Sequence, residues 1–190
     1  MKKNQAKIFL ISGPSGAGED VIIDGVNKRL PLNPVITTVT RAMRPGESQG
    51  HPYYFISEPD FKARLANNEF AEWAYVYNCY RGCTHAEIER LLKLDKPIIW
   101  KLDWHGVISV KKLYPQAISI FITVPDYETL VRRLQKRGLD SPETIKEREG
   151  FTREWLEKAD VYDRVVVNRD GELDLAINEV EEIMRKEIGD

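Results

Sequence analysis

A glycine-rich stretch directly after a short apolar run could bind phosphate. Residues 13–18 read GPSGAG, here called the glycine loop. A backbone of such small residues can curl so that its N–H groups point inward. Together with the N-terminus of a following helix, those donors form an anion-binding nest. The candidate members are Gly13, Pro14, Ser15, Gly16, Ala17 and Gly18. The alternative for this stretch alone is a simple glycine turn between a strand and a helix.

The two residues after the loop carry the wrong charge for a phosphate site. Loops of this kind continue with Lys and Ser or Thr, whereas this chain continues with Glu19 and Asp20. A carboxylate about 4 Å from a phosphate repels it by roughly 4 kcal/mol per charge pair at an effective dielectric constant of about 20. An active site would therefore need compensation from Lys101, Arg81 or magnesium. Asp20 takes the position of the hydroxyl that normally touches magnesium, and a carboxylate can also hold that ion.

The elements that would position the loop alternate along the chain. Apolar runs predict strands at 7–12, 34–40, 70–77, 96–103, 117–124 and 162–168, and helical spacing predicts helices at 19–30, 61–68, 85–93, 104–113, 126–137 and 141–159. A closing helix places Leu173, Ile177, Val180 and Met184 on one face. The segment 41–53 is rich in Gly, Pro and charge and is predicted as a loop. This order predicts an α/β fold with a parallel sheet covered on both faces, and ligands at the carboxyl ends of its strands.

Four further segments resemble one family in order and spacing. TTVTRAMRPGESQGHPYYF, FAEWAYVY, IIWKLDWHG and RGLDSPETIKER cover nearly the whole chain together with the glycine loop. They resemble the guanylate kinase family of P-loop nucleoside monophosphate kinases. The resemblance implies a three-layer P-loop NTPase fold with a parallel sheet core, a small GMP-binding subdomain and a helical lid. We expect one domain over 1–190, with the core at 1–36 and 94–190, the subdomain at about 37–93 and the lid at about 137–158.

On the acceptor side, the resemblance implies a site for GMP or dGMP. Arg41 and Arg44 can present two guanidinium forks to one phosphate, and Tyr53 can add a hydroxyl donor. Thr37 matches a hydroxyl near the base. A buried carboxylate at Glu72 would accept hydrogen bonds from guanine N1–H and its exocyclic amine, and would oppose the N1 lone pair of adenine. Such a polar mismatch discriminates by about 10⁴-fold. Each residue alone is more simply a solvated charge; the ordered set favours the site.

On the donor side, the resemblance implies ATP with magnesium. Arg137 and Arg148 match lid arginines whose task is to neutralise charge on the transferring phosphoryl group. Asp103 ends a buried strand and can orient magnesium through water, alongside Asp20. Asn168 matches a position that borders adenine, and Asp140 is expected only to anchor the lid.

The chain departs from the family pattern at four positions: Glu19 replaces the loop lysine, Lys101 an acid, Arg81 a tyrosine and Cys83 a serine or threonine. Arg81 keeps a donor for the acceptor phosphate, whereas the Cys83 thiol is a weak donor. The first two departures suggest a charge swap, in which Lys101 pairs with Glu19 or reaches the β- and γ-phosphates itself. The alternative is two independent surface changes.

Composition excludes several classes of partner. The 190 residues carry a net charge of −2, with no basic excess that would indicate nucleic acid or an anionic membrane. No apolar run approaches the roughly 20 residues that span a bilayer. Cys79 and Cys83 lie in one short segment near His85, which is too few ligands for a metal site and a poor disulfide. We therefore expect a cytoplasmic protein, either monomer or homodimer.

Two main functions remain open on the sequence, beside a related kinase that acts on another small phosphorylated acceptor. The first is an ATP:GMP phosphotransferase. The second is a catalytically impaired guanylate kinase-like domain that binds nucleotide or a protein partner, which the loss of the loop lysine favours. The retained lid arginines, Asp103, Asn168 and Glu72 favour the enzyme.

Overall fold

The architecture is taken from a computed structural model, which describes residues 6–76, 78–94, 96–147 and 149–189. Its strands are, in chain order, β1 (Ile8–Ser12), β2 (Asn33–Pro34), β3 (Thr38–Val39), β4 (Ser48–Gln49), β5 (Pro52–Phe55), β6 (Phe70–Val76), β7 (Cys79–Thr84), β8 (Ile98–Lys101), β9 (Ile118–Thr123) and β10 (Arg164–Val167). Its α-helices are α1 (Glu19–Asn27), α2 (Glu58–Ala66), α3 (His85–Leu92), α4 (Trp104–Leu113), α5 (Tyr127–Arg137), α6 (Pro142–Glu147), α7 (Glu149–Leu156) and α8 (Leu173–Ile188). None of the helices in these ranges is long and apolar enough to cross a membrane.

The core sheet is parallel throughout, in the strand order β10-β9-β1-β8-β2. β1 lies at the centre of this sheet. All five residues of the strand are buried, as expected for a strand covered on both faces. Phe9 and Ile11 pack with α1 and α8 residues on one face, while Ile8 and Leu10 pack with α3 and α4 residues on the other. The alternation of side chains along β1 therefore builds the two helical layers of an α/β fold.

A second, mixed sheet has the order β4-β5-β3-β7-β6. β6 and β7 form an antiparallel pair in which Glu72 lies opposite Cys83. Stacked aromatic rings support this pair, since Phe61 of α2 lies 4.1 Å from Phe70 and 5.3 Å from Tyr80 between ring centroids. The sheet thus presents Glu72 from a packed strand rather than from a loop.

Four sequence expectations need correction. The segment 41–53, predicted as a loop, contains β4 and the start of β5. The predicted strand 34–40 is divided, because β2 joins the core sheet and β3 joins the second sheet. The segment 79–84 forms β7, which the sequence did not predict. The predicted helix 141–159 is described as α6 and α7 and ends at Leu156, where a 3-10 turn follows at Ala159–Val161. Ser141 accepts from the Thr144 N–H at 3.2 Å and so caps the start of α6.

Candidate active site

The glycine loop connects β1 to α1 at the carboxyl edge of the core sheet. The Ala17 N–H donates to the Pro14 carbonyl at 2.9 Å, which closes a turn. Gly18 has φ +97, and a Cβ there would lie 2.5 Å from the Asn168 amide nitrogen. Only glycine suits that position, because L-residues avoid this backbone region and the space is filled. The loop therefore has the curled form that the sequence predicts.

Two side chains fasten the loop from outside. The buried Asn168 amide donates to the Ala17 carbonyl at 2.7 Å. Arg133 of α5 donates to the carbonyls of Gly16 and Ala17 at 3.3 and 3.4 Å and to that of Asn168 at 2.9 Å. Arg133 was not predicted from the sequence, where its only signal is its place one helical turn before Arg137. By satisfying the loop carbonyls, these residues favour a loop whose N–H groups face the nest.

Glu19 places its side chain over the glycine loop. Its Cδ lies 3.2 Å from the point where a Cβ of Gly13 would stand. Burial raises the pKa of Glu19 to about 7, although the backbone N–H groups of Glu19 and Gly18 and the charge of Lys101 act to lower it. The residue that replaces the loop lysine therefore folds back toward the nest.

Lys101 lies beside this loop but pairs with a different acid. Lys101 ends β8 and pairs in register with Ile11 of β1. Its Nζ lies 2.6 Å from Asp20 Oδ1. The expected pairing of Lys101 with Glu19 is therefore wrong, since within the described ranges the ion-pair partner of Lys101 is Asp20. Glu19 contributes only a longer-range attraction, which together with Asp20 raises the pKa of Lys101 against the effect of its burial.

Asp103 and Glu72 meet near the start of α4. Asp103 caps that helix, since its Oδ1 accepts from the Gly106 N–H at 2.8 Å. Glu72 Oε1 lies 3.3 Å from the point where a Cβ of Gly106 would stand. Burial raises the pKa of Glu72 to about 8, with a further rise from Asp103 and an opposing effect of Arg81. A half-buried carboxyl from the second sheet thus faces the carboxyl edge of the core sheet.

Arg41 and Arg44, two of the predicted acceptor-phosphate residues, bond to Glu47, a residue that was not predicted from the sequence. Arg41 donates to both carboxylate oxygens of Glu47, at 2.7 and 2.6 Å, and the Arg44 N–H donates to Glu47 at 2.8 Å. These bonds lower the pKa of Glu47 to about 2. The Arg41 guanidinium also lies over the Tyr53 ring, 5.3 Å from its centroid. Arg41 therefore contacts Tyr53 directly, and the Glu47 carboxylate joins Arg41 to the backbone of Arg44.

The remaining acceptor-side residues lie on β7 and beside β3. Arg81 pairs in register with Val39 on one side and Ala74 on the other. Its Nε is buried and has no hydrogen-bond partner among the residues that the structure describes. Cys83 is fully buried, its thiol donates weakly to the Thr84 carbonyl at 3.5 Å, and burial raises its pKa. Thr37 is half-buried just before β3.

Of the lid arginines, Arg137 ends α5 and pairs with Asp140 at 2.6 Å. That pair fits the expected anchoring role of Asp140. Arg148 lies outside the described residues.

The sheet order, the glycine loop between β1 and α1, and the polar residues at the carboxyl edge define a P-loop α/β protein. A sequence profile described as Guanylate kinase matches residues 5–187. The chain belongs to the guanylate kinase family.

Individual relatives agree. The chain is 36% identical over 186 residues to "Guanylate kinase" of Gloeobacter violaceus, covering 97% of this chain and 90% of that protein. It is 40% identical over 168 residues to "Guanylate kinase" of Porphyromonas gingivalis, covering 86% and 89%. A crystal structure of guanylate kinase from Anaplasma phagocytophilum matches with a TM-score of 0.74 at 24% identity, over 98% of this chain and 88% of that one. At that identity the structural match supports the fold alone.

Proposed function

We propose that this protein transfers the terminal phosphoryl group of ATP to GMP or dGMP, giving ADP and GDP or dGDP. The observation that carries the proposal is the position of Glu72, a half-buried carboxyl on β6 that faces the start of α4 beside Asp103. In this proposal the core is 1–36 and 94–190, the acceptor subdomain is about 37–93, and the lid segment is about 137–158.

Glu72 would select guanine by charge and hydrogen bonding. Its ionised carboxylate would accept from N1–H and the exocyclic amine. These two donors lie side by side on one edge of guanine and match the two carboxylate oxygens. Adenine presents a lone pair at N1, so its binding would leave the carboxylate unpaired and desolvated. The Cys83 thiol, opposite Glu72 on β7, is a weak donor, and Glu72 would therefore supply most of the discrimination, with Thr37 as a further hydroxyl near the base.

The acceptor phosphate would bind to Arg41, Arg44, Tyr53 and Arg81. Glu47 holds the Arg41 guanidinium in a bidentate geometry, which is also the geometry in which arginine binds phosphate. The buried Nε of Arg81 has no partner among the described residues. This favours an anion nearby, because an unpaired buried donor costs about 1–3 kcal/mol. Arg81 would then supply the donor that the family's tyrosine supplies.

On the donor side, the triphosphate would lie in the glycine loop, with Asn168 near adenine. Lys101 would supply the charge that Glu19 does not, by moving from Asp20 to the β- and γ-phosphates. Asp20 and Asp103 are oxygen donors of the kind that magnesium prefers, and magnesium usually takes one or two carboxylates together with substrate phosphates and water. The residues therefore fit MgATP, in which the ion neutralises charge on the phosphates.

Catalysis would rest on positioning and charge rather than on a protein base. An oxygen of the GMP phosphate attacks the γ-phosphorus in line, and the bond to the β-phosphate oxygen breaks so that ADP leaves. Arg137 and Arg148 would neutralise the equatorial oxygens of the moving group. The lid segment must close to exclude water, because water would otherwise take the phosphoryl group.

The test is a coupled assay for ADP release with MgATP and GMP, dGMP, AMP or no acceptor. We expect release that depends on GMP or dGMP and is at least about 10²-fold weaker with AMP. Binding of GMP without turnover would contradict the proposal. That result would favour the second candidate, an impaired guanylate kinase-like domain that binds nucleotide or a protein partner, for which the position of Glu19 over the glycine loop is the supporting observation.

A further inference from the structure

A buried hydroxyl links the lid segment to the glycine loop. Tyr162 lies just before β10, is 8% exposed, and stacks on Phe121 of β9 with centroids 4.7 Å apart and planes at 7°. Its hydroxyl lies 2.7 Å from Ser12 Oγ and accepts from Trp155 Nε1 at 3.0 Å. Ser12 is the last residue of β1, immediately before the loop, and Trp155 belongs to α7. Tyr162 is therefore the common partner of both elements.

The packing around Phe121 holds Ser12 and Tyr162 together in the core. Ser12 pairs in register with Phe121, the residue on which the Tyr162 ring stacks. Ser12 is fully buried, so its hydroxyl cannot exchange Tyr162 for water without cost. A displacement of the Tyr162 hydroxyl by lid movement would therefore act on the last residue of β1 rather than be absorbed by solvent.

On the lid side, α7 contacts the core only through the partly buried side chains of Trp155 and Leu156, and its other contacts include aromatic ones. None of its eight residues, all within the described part of the chain, is fully buried. Phe151 meets Trp155 edge-on at 5.5 Å and lies parallel to His105 at 6.5 Å. His105 and Trp104 open α4, directly after Asp103. Half-exposed contacts of this kind are weak enough to open and reform, as a lid requires.

We propose that Tyr162 is a positioning residue that couples closure of the lid segment to the conformation of the glycine loop, through Trp155 on one side and Ser12 on the other. The proposal rests on the proposed function, because lid closure over MgATP is part of it. The indole N–H of Trp155 reaches Tyr162 when α7 is docked. The same hydroxyl then holds Ser12, and with it the start of the loop, in one position.

The first test is Tyr162→Phe, which keeps the ring and its stack and removes only the hydroxyl. We expect kcat with GMP to fall roughly tenfold to a hundredfold, since small misplacements cost that much, while KM for GMP changes less than about twofold. ADP formed without GDP should rise, because an uncoupled lid admits water. Tyr114→Phe, at the C-terminal end of α4, is the control and should leave kcat and the amount of ADP formed without GDP unchanged.

The second test is a mutant cycle between the two ends, Trp155→Phe and Ser12→Ala, since both side chains bond to the Tyr162 hydroxyl. With Tyr162 intact, we expect the loss of kcat in the double variant to be about tenfold smaller than the product of the two single losses. In the Tyr162→Phe background the coupling should vanish. Equal kcat and equal ADP-to-GDP ratio in Tyr162→Phe and wild type, with only a lower melting temperature, would overturn the proposal.

A third measurement separates this proposal from the kinase assignment. MgATP should protect the lid segment of the wild-type protein from trypsin, and Tyr162→Phe should lose that protection at saturating MgATP. If the wild type binds MgATP but makes no GDP, the kinase assignment fails while the protection experiment still decides the coupling. Identical protection in both proteins would overturn it.

Discussion

Lys101 Nζ lies 2.6 Å from Asp20 Oδ1, so this lysine beside the glycine loop is held by the helix that follows the loop. Both side chains keep contact with solvent, at 44% and 79% exposure. Exposed pairs of this kind contribute little to stability. Lys101 can therefore leave Asp20 at small cost when a more highly charged phosphate arrives.

Replacement of Lys101 by Ala should lower kcat by about 10²–10³, the usual cost of losing one preorganised phosphate contact. Lys112→Ala, which removes a lysine from the last turn of α4, is the matched control and should change kcat less than about twofold. Steady-state ADP release with saturating GMP is the measurement. A Lys101→Ala enzyme with wild-type kcat would show that the glycine loop needs no relocated cation.

The double variant Glu19→Lys with Lys101→Glu should restore the charge order of the family. Glu19→Lys alone places two lysines at the donor phosphates, and Lys101→Glu alone leaves none. We expect the double variant to exceed the product of the two single effects by at least tenfold in kcat/KM for ATP. Additive effects would mean that Glu19 and Lys101 act independently.

Which acid would face Lys101 could not be predicted from the sequence. Glu19 and Asp20 are neighbours at the start of α1, about 100° apart around the helix axis. The choice depends on how α1 is rotated against β8, which is set by the burial of Ile22 and Val26 on its inner face. That rotation turns Asp20 outward to Lys101 and Glu19 toward Gly13.

The glycine loop and the core strands were predictable because each carries a local signal. GPSGAG follows an apolar run, and the IFLIS, IIWK and ISIFIT segments are apolar enough to be buried. β7 has no such signal. Its sequence, CYRGCT, mixes charge, glycine and cysteine, and it becomes a strand because it pairs with both β6 and β3. Such context outweighs local strand preference.

Glu72→Gln should weaken guanine recognition. The Gln amide would turn an N–H₂ group toward one of the two guanine donors, so one hydrogen bond becomes an opposed pair. We expect kcat/KM for GMP to fall by about 10²–10⁴ and the preference for GMP over AMP to shrink by a similar factor. Glu69→Gln, an exposed acid just before β6, is the control. Unchanged GMP-to-AMP selectivity would remove Glu72 from base recognition.

The KM for GMP should fall as pH rises from 7 to about 8 and then level off. Burial raises the pKa of Glu72 to about 8, so at pH 7 the carboxyl is protonated, whereas guanine needs the carboxylate. Binding then releases a proton, and affinity increases with pH until the carboxyl is ionised. The acceptor phosphate has a second pKa of about 6 and is therefore already ionised between pH 7 and about 8. Glu72→Gln should abolish the slope; a slope that survives in the variant must come from another group.

The same group makes the stability of the protein pH-dependent. The folded-state pKa of Glu72, about 8, lies above its ordinary value of 4.5, so the folded state binds the proton more tightly. Its contribution to the free energy of unfolding is full below pH 4.5 and is lost as pH rises through about 8. Urea unfolding at pH 6.5 and 8.5 should show that the free energy of unfolding decreases less between these pH values for Glu72→Gln than for the wild type. Equal losses in both proteins would contradict burial of this carboxyl.

Arg133→Ala should disturb the glycine loop without touching a phosphate. Its guanidinium donates to the Gly16, Ala17 and Asn168 carbonyls, and their loss should cost about 1–3 kcal/mol of unfolding free energy. We expect a severalfold rise in the KM for ATP and little change in the KM for GMP, because the acceptor residues lie on or beside the second sheet. Arg133 also pairs with Asp170 at 2.8 Å. Arg132→Ala is the matched control, since Arg132 pairs with Asp170 at 2.6 Å but is mainly exposed. Equal effects of the two variants would assign the cost to Asp170 and not to the loop. Arg133→Lys should keep only part of the stability and of the affinity for ATP, because a single ammonium cannot donate to the three carbonyls that the planar guanidinium reaches.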